Sequence, residues 1–171
     1  MIGVLALLAV QATQVSQDQI VAGWWRLHTS AEYKMCTLAA PFTNGEYLAV
    51  TYYAGEKTAV MAFTEKDATS LKEGDKRKID IIFEINRQLD DGWTDTEFET
   101  SVEDDGSRHL NSEDLEAVFL DDFAKARAVE FRVGKTKIAA YNLRNSAQGV
   151  TALRNCAMRA AGLNPKDPFA R

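Results

Sequence analysis

Residues 78–85 read KIDIIFEI, with Ile79, Ile81, Phe83 and Ile85 on one side of an extended chain and Lys78, Asp80 and Glu84 on the other. A period of two marks a strand with one face buried. This commits the chain to a sheet with a solvated side. Further strand candidates lie at 20–28, with Trp24 and Trp25, and at 35–40, 46–53, 58–64, 129–133 and 136–143. They are rich in β-branched and aromatic residues and are punctuated by Asn44-Gly45, Ala54-Gly55, Asp91-Gly92, Asp105-Gly106 and Gly134-Lys135. Segment 93–102 is polar. Its apolar residues Trp93, Phe98 and Val102 share no face of a regular strand, which predicts an edge strand or an extended loop.

Two helices interrupt the strands. The first is predicted to open near Asn111 or Ser112, with Glu113 and Asp114 in the first turn where the helix dipole favours them. Its apolar stripe is Leu115, Val118, Phe119 and Phe123. The second is predicted to open at Asn145 with Gln148 three residues on, a capping-box-like pair. Its stripe is Val150, Leu153, Cys156/Ala157 and Ala160, and Gly162 ends it. Six to nine strands and two helices without strict alternation predict an α+β fold. The sheet would be mostly antiparallel or sandwich-like, with the C-terminal helix packed on it.

Residues 2–10 carry no polar side chain, a run the length of a secretory leader's apolar region. It falls well short of the roughly 20 residues that span a membrane. Val10-Gln11-Ala12 places small or apolar side chains at the −3 and −1 positions of a signal peptidase site, so cleavage is predicted after Ala12. The leader lacks the usual Lys or Arg. The domain reading is a leader over 1–12, a polar spacer over 13–19, one α+β domain over 20–163 and a tail over 164–171. The expected location is the periplasm or the outside of the cell. The two cysteines, Cys36 and Cys156, fit that compartment as a disulfide.

Charge is segregated. Residues 1–89 carry a net −1, residues 90–123 a net −12 and residues 124–171 a net +8. Asp90, Asp91, Asp95, Glu97, Glu99, Glu103, Asp104 and Asp105 crowd sixteen residues with no base among them. A solvated face loosely paired with the C-terminal bases is the simplest reading. A docking surface for a basic protein or an envelope component is the functional one, with Asp90, Asp91, Trp93, Asp95, Glu97 and Glu99 as the partner-binding candidates. Trp93 either stacks on a ligand or caps the core edge. The net charge of −5 argues against nucleic acid as a partner. Calcium-loop spacing fails at both Asp-Gly turns. An EF-hand through Gly106 would need its final glutamate at Ser112, and one through 90–92 would start on Arg87. Two His and two Cys are too few for a four-ligand zinc site. No cofactor is expected.

Nucleotide, metalloprotease and serine-hydrolase motifs are absent. Ser107 and His109, with Asp105, would share one face of a strand, but such spacing rarely makes a triad and a polar loop is the reading taken. The chain is read as a non-enzymatic binding domain. The alternatives are a small periplasmic hydrolase using paired carboxylates of 90–105, and an inhibitor or immunity-type protein.

One stretch is familiar: Tyr141-x-Leu143-x-x-Ser146-x-x-x-Val150-x-x-Leu153-x-x-Cys156, a strand, a helix start and a late cysteine. With an early Trp24 or Trp25 and Cys36, it resembles small exported proteins of Gram-negative bacteria of the invasion-associated locus B type. The resemblance implies a periplasmic β-rich domain without assigned chemistry, and carries over no catalytic residue. The family's further cysteines have no counterpart here.

Overall fold

The computed structural model describes residues 19–30, 33, 35–42, 45–65 and 68–166. The predicted leader, residues 13–18 of the spacer and the end of the tail lie outside the described residues.

A run of hairpins opens the fold: β1 (Gln19–Ala22), β2 (Trp25–Ser30), β3 (Met35–Pro41), β4 (Tyr47–Tyr53) and β5 (Thr58–Thr64). Three longer-range strands follow, β6 (Lys76–Ile85), β7 (Gln88–Val102) and β8 (Arg108–Ser112), then the two-residue β9 (Leu115–Glu116). Helix α1 (Phe119–Lys125), the hairpin β10 (Ala128–Val133) and β11 (Thr136–Asn142), and helix α2 (Ser146–Ala160) complete it. The strand order is β1-β2-β3-β4-β5-β8-β7-β6-β10-β11, with β9 also on β5. Every pairing is antiparallel.

The α+β class and the dominant antiparallel sheet are as expected, but six to nine strands is an underestimate: eleven lie among the described residues. One source is segment 20–28. Gly23 takes a positive φ of 58° and folds it into the β1–β2 hairpin. Added bulk there would meet Asn145 Nδ2 at 2.7 Å. The first helix is also corrected. Asn111 and Ser112 belong to β8, which is laddered to both β5 and β7, and Leu115 belongs to β9, which is laddered to β5. Ser112 Oγ accepts the Met61 N–H at 2.9 Å and donates to the Glu113 carbonyl at 2.8 Å. Leu115, Phe119 and Phe123 are buried as predicted, while Val118 is half exposed. At α2 the predicted capping box is not made. Asn145 is left-handed with no side-chain cap bond, and Ser146 Oγ donates instead to the Phe123 carbonyl at 2.9 Å.

The sheet curls on itself. β5 and β10 stand four places apart in strand order; a flat sheet would separate them by roughly 19 Å. Yet Phe63 of β5 stacks on Phe131 of β10 with ring centroids at 3.9 Å. Tyr141 of β11 donates to the Thr64 carbonyl at the end of β5 at 2.8 Å. Phe98 and Tyr141 meet the same pair edge-on. A second aromatic group, Trp25, Phe83, Phe119 and Phe123, fills the space under α1. Helix α2 lies across β1–β4 and buries Val150, Leu153, Cys156 and Ala157. The predicted disulfide is formed: Cys36 on β3 and Cys156 on α2 are bonded with Cα atoms 6.0 Å apart. No helix among the described residues is long and apolar enough to cross a membrane.

Candidate functional site

β7 carries all six partner-binding candidates. The predicted edge strand or extended loop over 93–102 is corrected: β7 pairs with β6 as far as Glu99 and with β8 from Phe98 to Val102, so at Phe98 and Glu99 it has a strand on both sides. Two bulges explain why its sequence misled. Between the pairs Ile79↔Thr96 and Ile81↔Trp93, one residue of β6 faces two of β7, and the same happens between Ile81↔Trp93 and Phe83↔Asp90. At the first bulge Asp95 adopts φ 56°, and its N–H bonds Asp80 Oδ1 at 2.9 Å. Each extra residue flips the inside–outside parity. Trp93 therefore shares the inner face with Thr96, Phe98 and Thr100, which no period-two reading allows.

Trp93 is half-buried. Its indole meets Phe119 edge-on at 5.2 Å and donates to Asp122 Oδ2 at 3.1 Å. It sits on the opposite face from Asp95, Glu97 and Glu99, so the strand does not bring the six candidates together on one surface. Asp90 lies at the far end and takes the Gly92 N–H at 3.1 Å. Asp91 occupies the second bulge.

The acids on the outer face meet lysines that alternate along β6. Lys76 bonds Glu97 at 2.7 Å and lies 3.9 Å from Glu99, and Lys78 lies 3.9 Å from Asp95. The Glu97 hydrogen bond and charge hold the Lys76 ammonium above its usual range. These pairs are solvated and contribute little to stability. They do divide the acidic strip: Glu97 and Glu99 are partly spent, while Glu103, Asp104 and Asp105 stand exposed in the β7–β8 turn. Of the basic C-terminal third, Arg154 alone among the described residues pairs with the acidic run, at Asp121 and 2.7 Å. The counter-charge therefore comes mainly from β6. Sequence reading put Lys78 on the outer face of its strand but matched neither it nor Lys76 to the acids, although their spacing of two on a half-buried strand was a usable signal.

Beside that turn the structure assembles the Ser/His/Asp grouping. His109, 8% exposed, places Nε2 at 3.3 Å from Ser107 Oγ and 3.7 Å from Glu103. Its Nδ1 faces Thr64 Oγ1 at 3.4 Å, and Tyr47 lies against the ring at 4.7 Å. Burial, and then the charge of Glu103, push the Tyr47 phenol up to about 12. Ser107 donates through both Oγ and N–H to Asp105 Oδ1, at 2.6 and 2.8 Å, which keeps the Asp105 carboxyl below its usual range. A 490 Å³ cleft opens over these groups. In a hydrolytic triad the carboxylate orients the imidazole through Nδ1 and the serine proton faces Nε2. Here Asp105 takes the serine proton and Nδ1 faces a hydroxyl. The arrangement fixes a polar turn whose hydrogen bonds are not those of that triad. Tyr47 and Thr64 were not legible as members, because they come from the ends of β4 and β5.

No group of three or more His, Cys, Asp or Glu among the described residues is arranged to hold a metal ion. Comparison with protein-family models, with curated proteins and with solved structures finds no match to the chain.

Proposed function

We propose that the protein is a small exported binding domain, without catalysis of its own, that meets a basic protein or envelope component through the outward acids of β7 and the 103–105 turn. The Cys36–Cys156 disulfide is the observation that carries the exported reading. Support for the interaction half comes from the acids themselves: Asp95, Glu99, Glu103, Asp104 and Asp105 are solvent-facing and held by a rigid sheet and a hydrogen-bonded turn. Charges so fixed steer a cationic partner at little ordering cost. The invasion-associated locus B type of exported protein is the family proposed for it.

The hydrolase alternative draws no support from a particular observation. Glu97 is engaged by Lys76, and both Glu97 and Glu99 are solvated, whereas a catalytic acid needs desolvation. The inhibitor or immunity-type reading uses the same face and would answer to the same test.

Intact mass of the chain from fractionated bacterial cells tests export. The expected result is a periplasmic species starting at Thr13 whose thiols alkylate only after reduction; a full-length cytosolic chain with two free thiols would overturn it. Neutralising Asp91, Asp95, Glu97 and Glu99 together tests the face. Salt-sensitive crosslinks formed in intact cells should be lost, and unchanged crosslinks would leave the strip as a solubilising surface.

A further inference from the structure

At the opposite pole from the acidic turn, a cleft of 630 Å³ opens between the β6–β7 turn, the α1–β10 link and the β11–α2 turn. Arg87, Arg127 and Arg144 line it, one from each connection. Nine arginines lie among the described residues. Arg77, Arg108, Arg132 and Arg154 are bonded to neighbouring carbonyls or carboxylates. Of the other five, whose guanidinium groups have no partner among the described residues, three line this one cleft.

The backbones carrying these arginines are fixed. The Arg127 N–H bonds the Glu84 carbonyl at 2.9 Å, and its own carbonyl takes the Leu143 N–H at 2.8 Å. The Arg144 N–H bonds Asn142 Oδ1 at 2.8 Å, and its carbonyl takes the Trp25 indole N–H at 3.0 Å. Arg87 ends a two-residue turn in which it and Asn86 both have positive φ, 65° and 52°. Such turns favour glycine at that place.

Glu84 is the one carboxylate lining the cleft, and it makes no ion pair there. The walls thus carry three positive charges and one negative, an excess of two. Guanidinium forks match tetrahedral oxyanions in shape as well as charge. A phosphate monoester dianion balances the excess, and the volume leaves room for the organic body that bears it. The first-turn amide of Ala147, on the same wall, has no carbonyl within the helix to bond and adds a donor. We propose that this cleft binds a phosphate monoester, gripped by Arg87, Arg127 and Arg144. The proposal is independent of the acidic face and of export.

The test is an NMR titration of the full chain with inorganic phosphate at constant ionic strength, reading the arginine Nε–H and Ala147 amide signals. Saturable shifts at these positions are expected. They should weaken at least tenfold in Arg127→Gln/Arg144→Gln and stay unchanged in Arg159→Gln, on the exposed far end of α2. Co-sedimentation with phosphatidylcholine vesicles, with and without phosphatidic acid, distinguishes the source. Capture by phosphatidic acid that depends on Arg127 and Arg144 would assign the phosphate to a lipid headgroup, and phosphate shifts without capture would assign it to a soluble ester. Absence of both responses would overturn the proposal. So would shifts that persist in the double variant or that chloride reproduces.

Discussion

Asp105 is kept charged by a neighbour two residues away. Its low pKa rests first on the Ser107 hydroxyl and then on the Ser107 N–H. Ser107→Ala should therefore raise the Asp105 pKa part of the way to its ordinary value, as read from the carboxyl carbon in an NMR titration; no change would mean that the turn is not formed in solution. Because the folded pKa is depressed, the stabilisation is present above the unfolded value and fades as pH falls through the folded one. Tyr47 works at the other end of the scale. Its folded pKa of about 12 lies above the unfolded 10.0. The unfolded chain then loses its proton first as pH rises, so this contribution is whole below pH 10 and is lost between there and about 12. A phenolate absorbance titration should show Tyr47 among the last tyrosines to ionise. Gly149 is a steric matter. A methyl group there would lie 2.8 Å from Leu38, which is fully buried and cannot swing aside. Helix propensity favours Gly149→Ala by about 1 kcal/mol, but overpacking costs about 1–3 kcal/mol. A net loss of about 1 kcal/mol is expected in urea unfolding.

β7 shows where reading by period succeeds and where it stops. Ile79, Ile81 and Phe83 on β6 were placed on the buried side from the sequence, because β6 is regular there. β7 pairs with that same strand, but its two extra residues change parity twice, and parity is invisible unless the partner is known. The same limit hid β9 and displaced the start of α1: the 115, 119, 123 spacing did mark buried residues, while the ladder on β5 decided the backbone. The bulge at Asp95 makes a testable demand. Asp at positive φ is tolerated and a β-branched residue is not. Asp95→Val should lose roughly 1–2 kcal/mol in chemical denaturation, whereas Asp95→Gly should stay near wild type. Equal effects of the two would mean that the bulge is absent.

For the molecule as a whole, sequence reading reached the α+β class and the cysteine pairing, because hydrophobic period and an isolated even pair of cysteines are local or countable facts. It did not reach the curl that brings Phe63 onto Phe131, the β6 lysines that answer the β7 acids, or the three arginines gathered from separate turns. Each of these depends on strand order, which no single segment encodes. The disulfide closes 120 residues of sequence separation. Its loss through Cys36→Ala/Cys156→Ala should lower stability by about 2–4 kcal/mol in equilibrium unfolding, against an entropic ceiling of about 4–5. An unchanged urea midpoint would mean that the bond forms without constraining the fold. The placement of α2 has a temporal consequence. A polypeptide emerging N-terminus first delivers β1–β5 while the helix that covers Leu38 and Cys36 is still unsynthesised. Those strands can pair early, but their inner face stays wet until the last described helix arrives. Completion of this fold therefore waits for α2, with the thiol of Cys36 open until Cys156 follows it by 120 residues.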